Sequence, residues 1–206
     1  MSSRISSIHP VSLFTGLVVC VTLSACAPKD EGAGDTAVAD TTTAAAPAPA
    51  APAAPTLADP QIAHVAVTAN AIDSSFGAMA ATKARSQAVK DFARTMVRDH
   101  GAVNKQAVAL AQRLNVTPQE NDVSRQLQSA ADQARGAMDA LTGAAFDSAY
   151  MAREVTYHQA VIDALDQTLI PNSQNADLKS LLQSVRPNFV AHLERARQVQ
   201  GGLTQR

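Results

Sequence analysis

The sequence predicts an all-α domain, a four-helix bundle with a helical crossover segment, and three observations point to it. From residue 59 onward the chain is rich in Ala, Leu, Gln, Arg and Val, with few β-branched clusters. Helix punctuation recurs at the spacing of long helices: "ADPQ", "TPQE", "LTG", "IPNS" and a closing "GG". Between these marks apolar residues return every three or four positions, the spacing of a helix with one buried face.

Each element can be placed in order. "ADPQIAHV" offers Asp59 as N-cap with Pro60 in the first turn, opening a helix that runs to about Lys83. A second begins near Ser86 and ends near Asn115. "TPQE", Thr117 to Glu120, combines an N-cap, a first-turn Pro and a capping-box Glu, and predicts a third helix from there to about Leu141. Thr142 in "LTGAAF" caps a fourth, which runs to about Ile170. The fifth is expected from Ser173 to Gln200, with Pro187 kinking or breaking it at Arg186. Short connections put the first, second, fourth and fifth helices in the bundle, with the third as the long return between two hairpins. Aromatic residues are only 3% of the chain, so Ala, Leu and Val with a few Met and Phe must fill the core.

The first quarter of the chain reads differently. Residues 1–25 carry one cation, Arg4, then an apolar run from Val11 to Leu23 and small residues, the pattern of a secretory signal. The ending "LSAC" resembles a bacterial lipobox, which makes Cys26 the expected lipidated residue and the membrane the expected partner. Cys20 follows Val19, where that pattern has Gly, Ala or Ser. Ala27 after the cysteine is not the Asp that resembles an inner-membrane retention signal, so the expected address is the outer membrane, facing the periplasm. Residues 26–58, with "TTTAAAPAPAAPAAPT", are too poor in large apolar side chains to offset the entropy of ordering, and read as a disordered tether. The folded domain, residues 59–206, then holds no thiol, which excludes disulfides, thiol catalysis and thiolate metal sites. The 17 Lys and Arg nearly balance the 18 Asp and Glu without runs of either sign, so nucleic acid is not an expected partner.

Three histidines interrupt buried stripes. Around His100 the neighbours at helical spacing are Ala93, Met96, Val97, Val103, Asn104 and Ala107. His158 lies among Met151, Glu154, Val155, Val161, Ile162 and Leu165, and His192 among Val185, Phe189, Ala196 and Val199. Asp73, flanked by Ala69, Phe76, Gly77 and Ala80, is a carboxylate in the same setting, and Glu154 is one turn from His158. At about 1.5 Å of rise per residue all five fall in the middle third of the bundle. Two readings follow. In one, the histidines are core residues hydrogen-bonded across helices to Asp73, Glu154, Asn104 or water. In the other, Asp73, His100, Glu154, His158 and His192 hold a transition metal, with a donor mixture suited to Fe, Zn, Cu or Mn. The sequence alone weights the first, because inward histidines occur in bundles without metals. A di-iron bundle uses more acids and "ExxH" spacing, whereas this chain has "EVTYH". His64, near the start of the first helix, is expected at the periphery.

The stretches "AATKARSQAVKDFARTMVRDHGAVN", "GAAFDSAYM" and "RPNFVAHL", together with His158, resemble the bacterial family of domains of unknown function 4142. The resemblance spans residues 62–200 and implies a ferritin-like bundle in the cell envelope, often labelled an outer-membrane protein, with no established activity. Where that family's first helix tends to carry Glu this chain has Asp73, and a second acidic position corresponds to Ser75. No nucleophile with a base, phosphate-cradling loop or dinucleotide fingerprint is present. The functional expectation is a lipid-anchored, non-catalytic binding or structural module, with a metal-binding or metal-dependent redox protein as the alternative.

Overall fold

The computed structural model describes residues 56–204, which belong to one compact unit and contain no strand. The expected signal sequence, Cys26 and most of the expected Ala/Pro tether lie outside the described residues. Five long helices account for nearly all of the described chain: α1 Asp59–Lys83, α2 Gln87–Arg113, α3 Asp122–Asp139, α4 Gly143–Ala164 and α6 Ala176–Leu203, with a short α5 Ile170–Asn172 continuing α4. α1 pairs with α2 and α4 with α6; α2 then meets α6, α1 meets α4, and α3 lies outside, against α1 and α4. This is the two-hairpin bundle with a helical return that the punctuation predicts. None of the described helices is long and apolar enough to cross a membrane.

The boundaries differ from the sequence reading in instructive places. The third helix does not start at "TPQE". Gln119 N–H donates to the Pro60 carbonyl at 2.9 Å and the Asn121 amide to the Gln61 carbonyl at 3.1 Å, so this segment is tied to the start of α1. Asn121 caps α3 instead, accepting from Ser124 N–H at 3.1 Å. Pro187 does not break α6, which runs through it. Both Pro187 and Gln183, whose carbonyl loses its helical partner, are exposed, so water can take over the lost bond. The closing glycines do not stop α6 either; it ends at Leu203. α4 and α5 are joined by a π-helical turn, Leu165–Leu169, in which Ile170 N–H bonds the Leu165 carbonyl. It stands just before Pro171, whose ring clashes with an α-helical carbonyl four residues back.

Asp59 does not cap its own helix. Its carboxylate accepts from Gln174 and Asn175 N–H, both at 2.9 Å, and so holds the entry to α6. Asp147 of α4 does the same for α2, accepting from Arg85 N–H at 2.9 Å and Ser86 N–H at 2.7 Å. Lys83 closes the other end of α3 by donating to the carbonyls of Met138 and Asp139, at 2.9 and 2.6 Å.

Two apolar clusters fill the interior. One gathers Phe76, Phe92, Met96, Phe146, Tyr150 and Met151; the other gathers Ile62, Val65, Leu110, Val161, Leu182 and Phe189. Asp73 of α1, His100 of α2, Glu154 and His158 of α4 and His192 of α6 fall near where one cluster gives way to the other. α1 and α2 approach closely there: a Cβ built on Gly77 would stand 2.8 Å from the Ala93 carbonyl oxygen.

Candidate metal centre

All five residues singled out by their position on apolar stripes meet at this level. Asp73, Glu154 and His158 are fully buried, His100 is 1% exposed and His192 8%. α1 supplies Asp73, α2 His100, α4 Glu154 and His158, and α6 His192. The three imidazoles form a triangle, with ring centroids 5.5 Å apart for His100 and His158, 5.2 Å for His100 and His192, and 5.5 Å for His158 and His192. Two overlapping triads have ligand atoms within 4.8 Å of one another: His100, His158 and His192; and Asp73, Glu154 and His158. His64 lies apart, on the outer part of α1, its Nδ1 3.4 Å from Thr68 Oγ1.

Each imidazole has one nitrogen committed and one bare. Asn70 donates its amide to the Ala66 carbonyl at 2.8 Å, so its oxygen faces His100 and accepts from Nδ1 at 2.9 Å. His158 Nδ1 donates to the Glu154 carbonyl at 2.9 Å, one turn back on its own helix. His192 Nε2 donates to the Asp99 carboxylate at 3.0 Å. These bonds set each tautomer and leave His100 Nε2, His158 Nε2 and His192 Nδ1 as lone pairs. All three are buried without a hydrogen-bond partner in the protein, as are Asp73 Oδ2 and Glu154 Oε2.

His100 Nε2 and Asp73 Oδ2 are 2.9 Å apart, yet their alignment makes no hydrogen bond. Two acceptor atoms at that distance repel unless a positive charge lies between or beside them. His158 Nε2 is 3.8 Å from the same oxygen. Metal bonds of about 2.0–2.2 Å place neighbouring ligand atoms roughly 3–3.5 Å apart, so these spacings suit a single ion.

The outer oxygens are used differently. Arg153 donates to Asp73 Oδ1 at 3.1 Å and to Glu154 Oε1 at 2.5 Å. Its guanidinium is sandwiched between the rings of Phe76 and Tyr157, with centroids 3.7 and 4.4 Å away. Tyr157 is fixed in turn by donating its hydroxyl to the Ala69 carbonyl at 2.8 Å. Arg153 therefore neutralises part of the acid charge and turns the inner oxygen of each carboxyl toward the imidazoles.

The electrostatics separate the two acids. Burial works to raise Asp73, but the contact with His100 and, once acid has put protons on the imidazoles, the charges of His100 and His158 together with that of Arg153 outweigh it and hold the carboxyl far below its usual range. Glu154 is pushed well above the carboxylate range, by burial first and then by the negative charge of Asp73. Burial lowers His158 to about 4, with His100 and His192 adding to the effect, and burial also lowers His192 against the pull of Asp99. At neutral pH His158 and His192 are therefore neutral imidazoles, the form that binds a metal. Tyr150, one turn before Glu154, keeps its buried hydroxyl protonated, by desolvation first and then by the Glu154 and Asp73 charges.

Sequence reading missed Asn70, Asp99 and Arg153. Asn70 precedes Asp73 by one turn on the same stripe and carries that signal; Asp99 and Arg153 adjoin His100 and Glu154 in the chain but lie off the buried stripe. Asn104, a candidate partner of the histidines, does not hydrogen-bond any of them, and its own side-chain oxygen is unpartnered within the protein.

Fold and site together define a helical bundle with a buried histidine and carboxylate cluster at its centre. The family described as Domain of unknown function (DUF4142) matches residues 44–199, and the chain belongs to that family. No curated protein and no solved structure matches the chain.

Proposed function

We propose that this protein binds one divalent transition-metal ion at the centre of its bundle, through His100, His158, His192 and Asp73, with Glu154 as a fifth donor. The reading rests on one observation: each histidine gives one ring N–H to a partner while its other nitrogen is buried and unpartnered in the cluster, where Asp73 Oδ2 stands 2.9 Å from His100 Nε2 and 3.8 Å from His158 Nε2. A purely structural histidine cluster gives no reason for five buried polar atoms to lack partners together. The nitrogen-rich, thiol-free donor set suits Fe, Zn, Cu or Mn. The module acts at the envelope, tethered through lipid on Cys26 and, on the strength of Ala27, at the outer membrane.

Metal titration of the purified chain tests the centre, with about one equivalent of ion per chain expected and little in His100→Leu or His158→Leu. A native protein that takes up no Fe, Zn, Cu or Mn returns the cluster to a structural role. Fractionation tests the tether: Cys26→Ser should leave the membrane fraction with the fold intact, and persistent membrane association overturns the anchor.

A further inference from the structure

Below the histidine cluster the bundle is not filled. Small side chains on α1 and α2, Ala66, Ala107 and Ala111 among them, face leucines of α6 such as Leu182 across a partly enclosed cavity of about 80 Å³. Its wall is overwhelmingly apolar, and the few polar groups sit at its ends. Such a space holds no row of donors and acceptors for ordered water and stays dry. A cavity that binds benzene is about 150 Å³, so the room suits a molecule of about three heavy atoms with no polar demand. The inner end of the cavity is formed by Asn70 and Phe189. Both touch His100: Asn70 accepts from its Nδ1, and the Phe189 ring lies 5.1 Å from the imidazole, centroid to centroid.

We propose that this cavity binds a small apolar gas, such as dioxygen, against the two side chains that contact His100. That the gas meets a metal there rests on the metal-binding reading above; that the chamber takes up the gas does not. Size and polarity select this class of occupant. A polar molecule of the same volume would lose its hydrogen bonds on entry, and a larger apolar one would not fit without displacing the leucines.

Dioxygen is its own probe, because its paramagnetism speeds the relaxation of nearby protons. Under dioxygen pressure, in the chain purified without metal, the methyl protons of Ala66, Ala107 and Leu182 and the ring protons of His100 should relax several-fold faster than under nitrogen. The methyl groups of the exposed Val108 should show only the response of a surface group. Ala107→Phe fills the chamber and should abolish the excess; Ala66→Leu, a smaller change, should reduce it even if the first variant does not fold. An equal response of chamber and surface methyls, or an undiminished one in a folded filled variant, overturns the proposal. In His158→Leu the chamber response should persist whether or not metal binding is lost, which keeps failure of the metal reading distinct from failure of this one.

Discussion

His192 Nε2 and Asp99 Oδ2 meet at 3.0 Å across the interface of α6 and α2, and this bond turns His192 Nδ1 inward to the cluster. Asp99 also accepts from Arg98 Nε at 2.7 Å, so the orienting carboxylate is itself held. Asp99→Ala removes no donor atom but frees the His192 ring to rotate and to bind through either nitrogen. Metal affinity should fall about 10–100-fold, the usual cost of losing a partner behind a histidine ligand, with the helical fold retained. Unchanged affinity by calorimetric titration would place His192 outside the coordination sphere.

The two readings of the histidines differ in sign for His158→Leu. As an unliganded core group, the imidazole would be exchanged for better apolar packing at the loss of a hydrogen bond contributing about 0.5–1.5 kcal/mol, and stability would hold or rise. As a ligand, it gives the native protein a metal-dependent stabilisation of about 2.7 kcal/mol at a free-ion concentration 100 times Kd, and the variant loses most of it. Thermal unfolding with and without added ion, on both proteins, separates the cases, and the second is expected.

Metal binding should release a proton. Glu154 is held above the carboxylate range and favours its protonated form beside the ionised Asp73; an entering cation reverses that preference. Affinity should therefore rise with pH, and calorimetry in buffers of different ionisation enthalpy should show proton release that Glu154→Gln abolishes. Release undiminished in that variant would assign the proton elsewhere.

The metal-free protein carries a second pH signature. His158 titrates near 4 when folded against 6.5 in the open chain, so between these values the unfolded state binds more protons and stability falls as pH falls. The full excursion is worth roughly 3 kcal/mol. Glu154 acts oppositely, because its raised folded value favours the native state at low pH and withdraws that support as pH rises. Glu154→Gln removes the opposition, and urea unfolding of that variant from pH 7 to pH 4 should show the histidine trend clearly; a flat profile would mean that His158 is not buried as a neutral group.

Gly77 sets how near α1 comes to α2. In Gly77→Ala the new methyl would meet the Ala93 carbonyl at 2.8 Å, a backbone atom that cannot move aside alone. The variant should lose about 1–3 kcal/mol in chemical denaturation and bind metal more weakly, because Asp73 and His100 lie on the same two helices, about one and two turns from the clash. Native stability in this variant would show that the helices can part at no cost.

The stripes on which Asp73, His100, Glu154, His158 and His192 sit were legible in the sequence because inward position depends only on helical period. The height of each along its helix followed from counting residues. Which nitrogen of each ring is free was not legible, since it depends on how helices rotate against one another. Asp99 follows from no local pattern: it sits off the stripe of His100 and matters only because α6 brings His192 to it. The start of α3 was misplaced for a related reason. "TPQE" is a sound local cap, but the bonds of Gln119 and Asn121 to the first turn of α1 claim that segment for a tertiary contact.

The two aspartates that reach across to the other hairpin have a consequence for how the chain folds. Asp59, in the first hairpin, completes the entry to a helix of the second; Asp147, in the second, completes the entry to a helix of the first. The debt is reciprocal, so neither hairpin owns all of its own ends. Cut between α3 and α4, each half would keep its apolar faces but lose the carboxylate that fixes the two residues leading into α2 or α6, although Asn175 still caps α6 from its own half. The halves should be weakly helical alone and recover helix on mixing, and the whole domain should unfold as one cooperative unit rather than hairpin by hairpin.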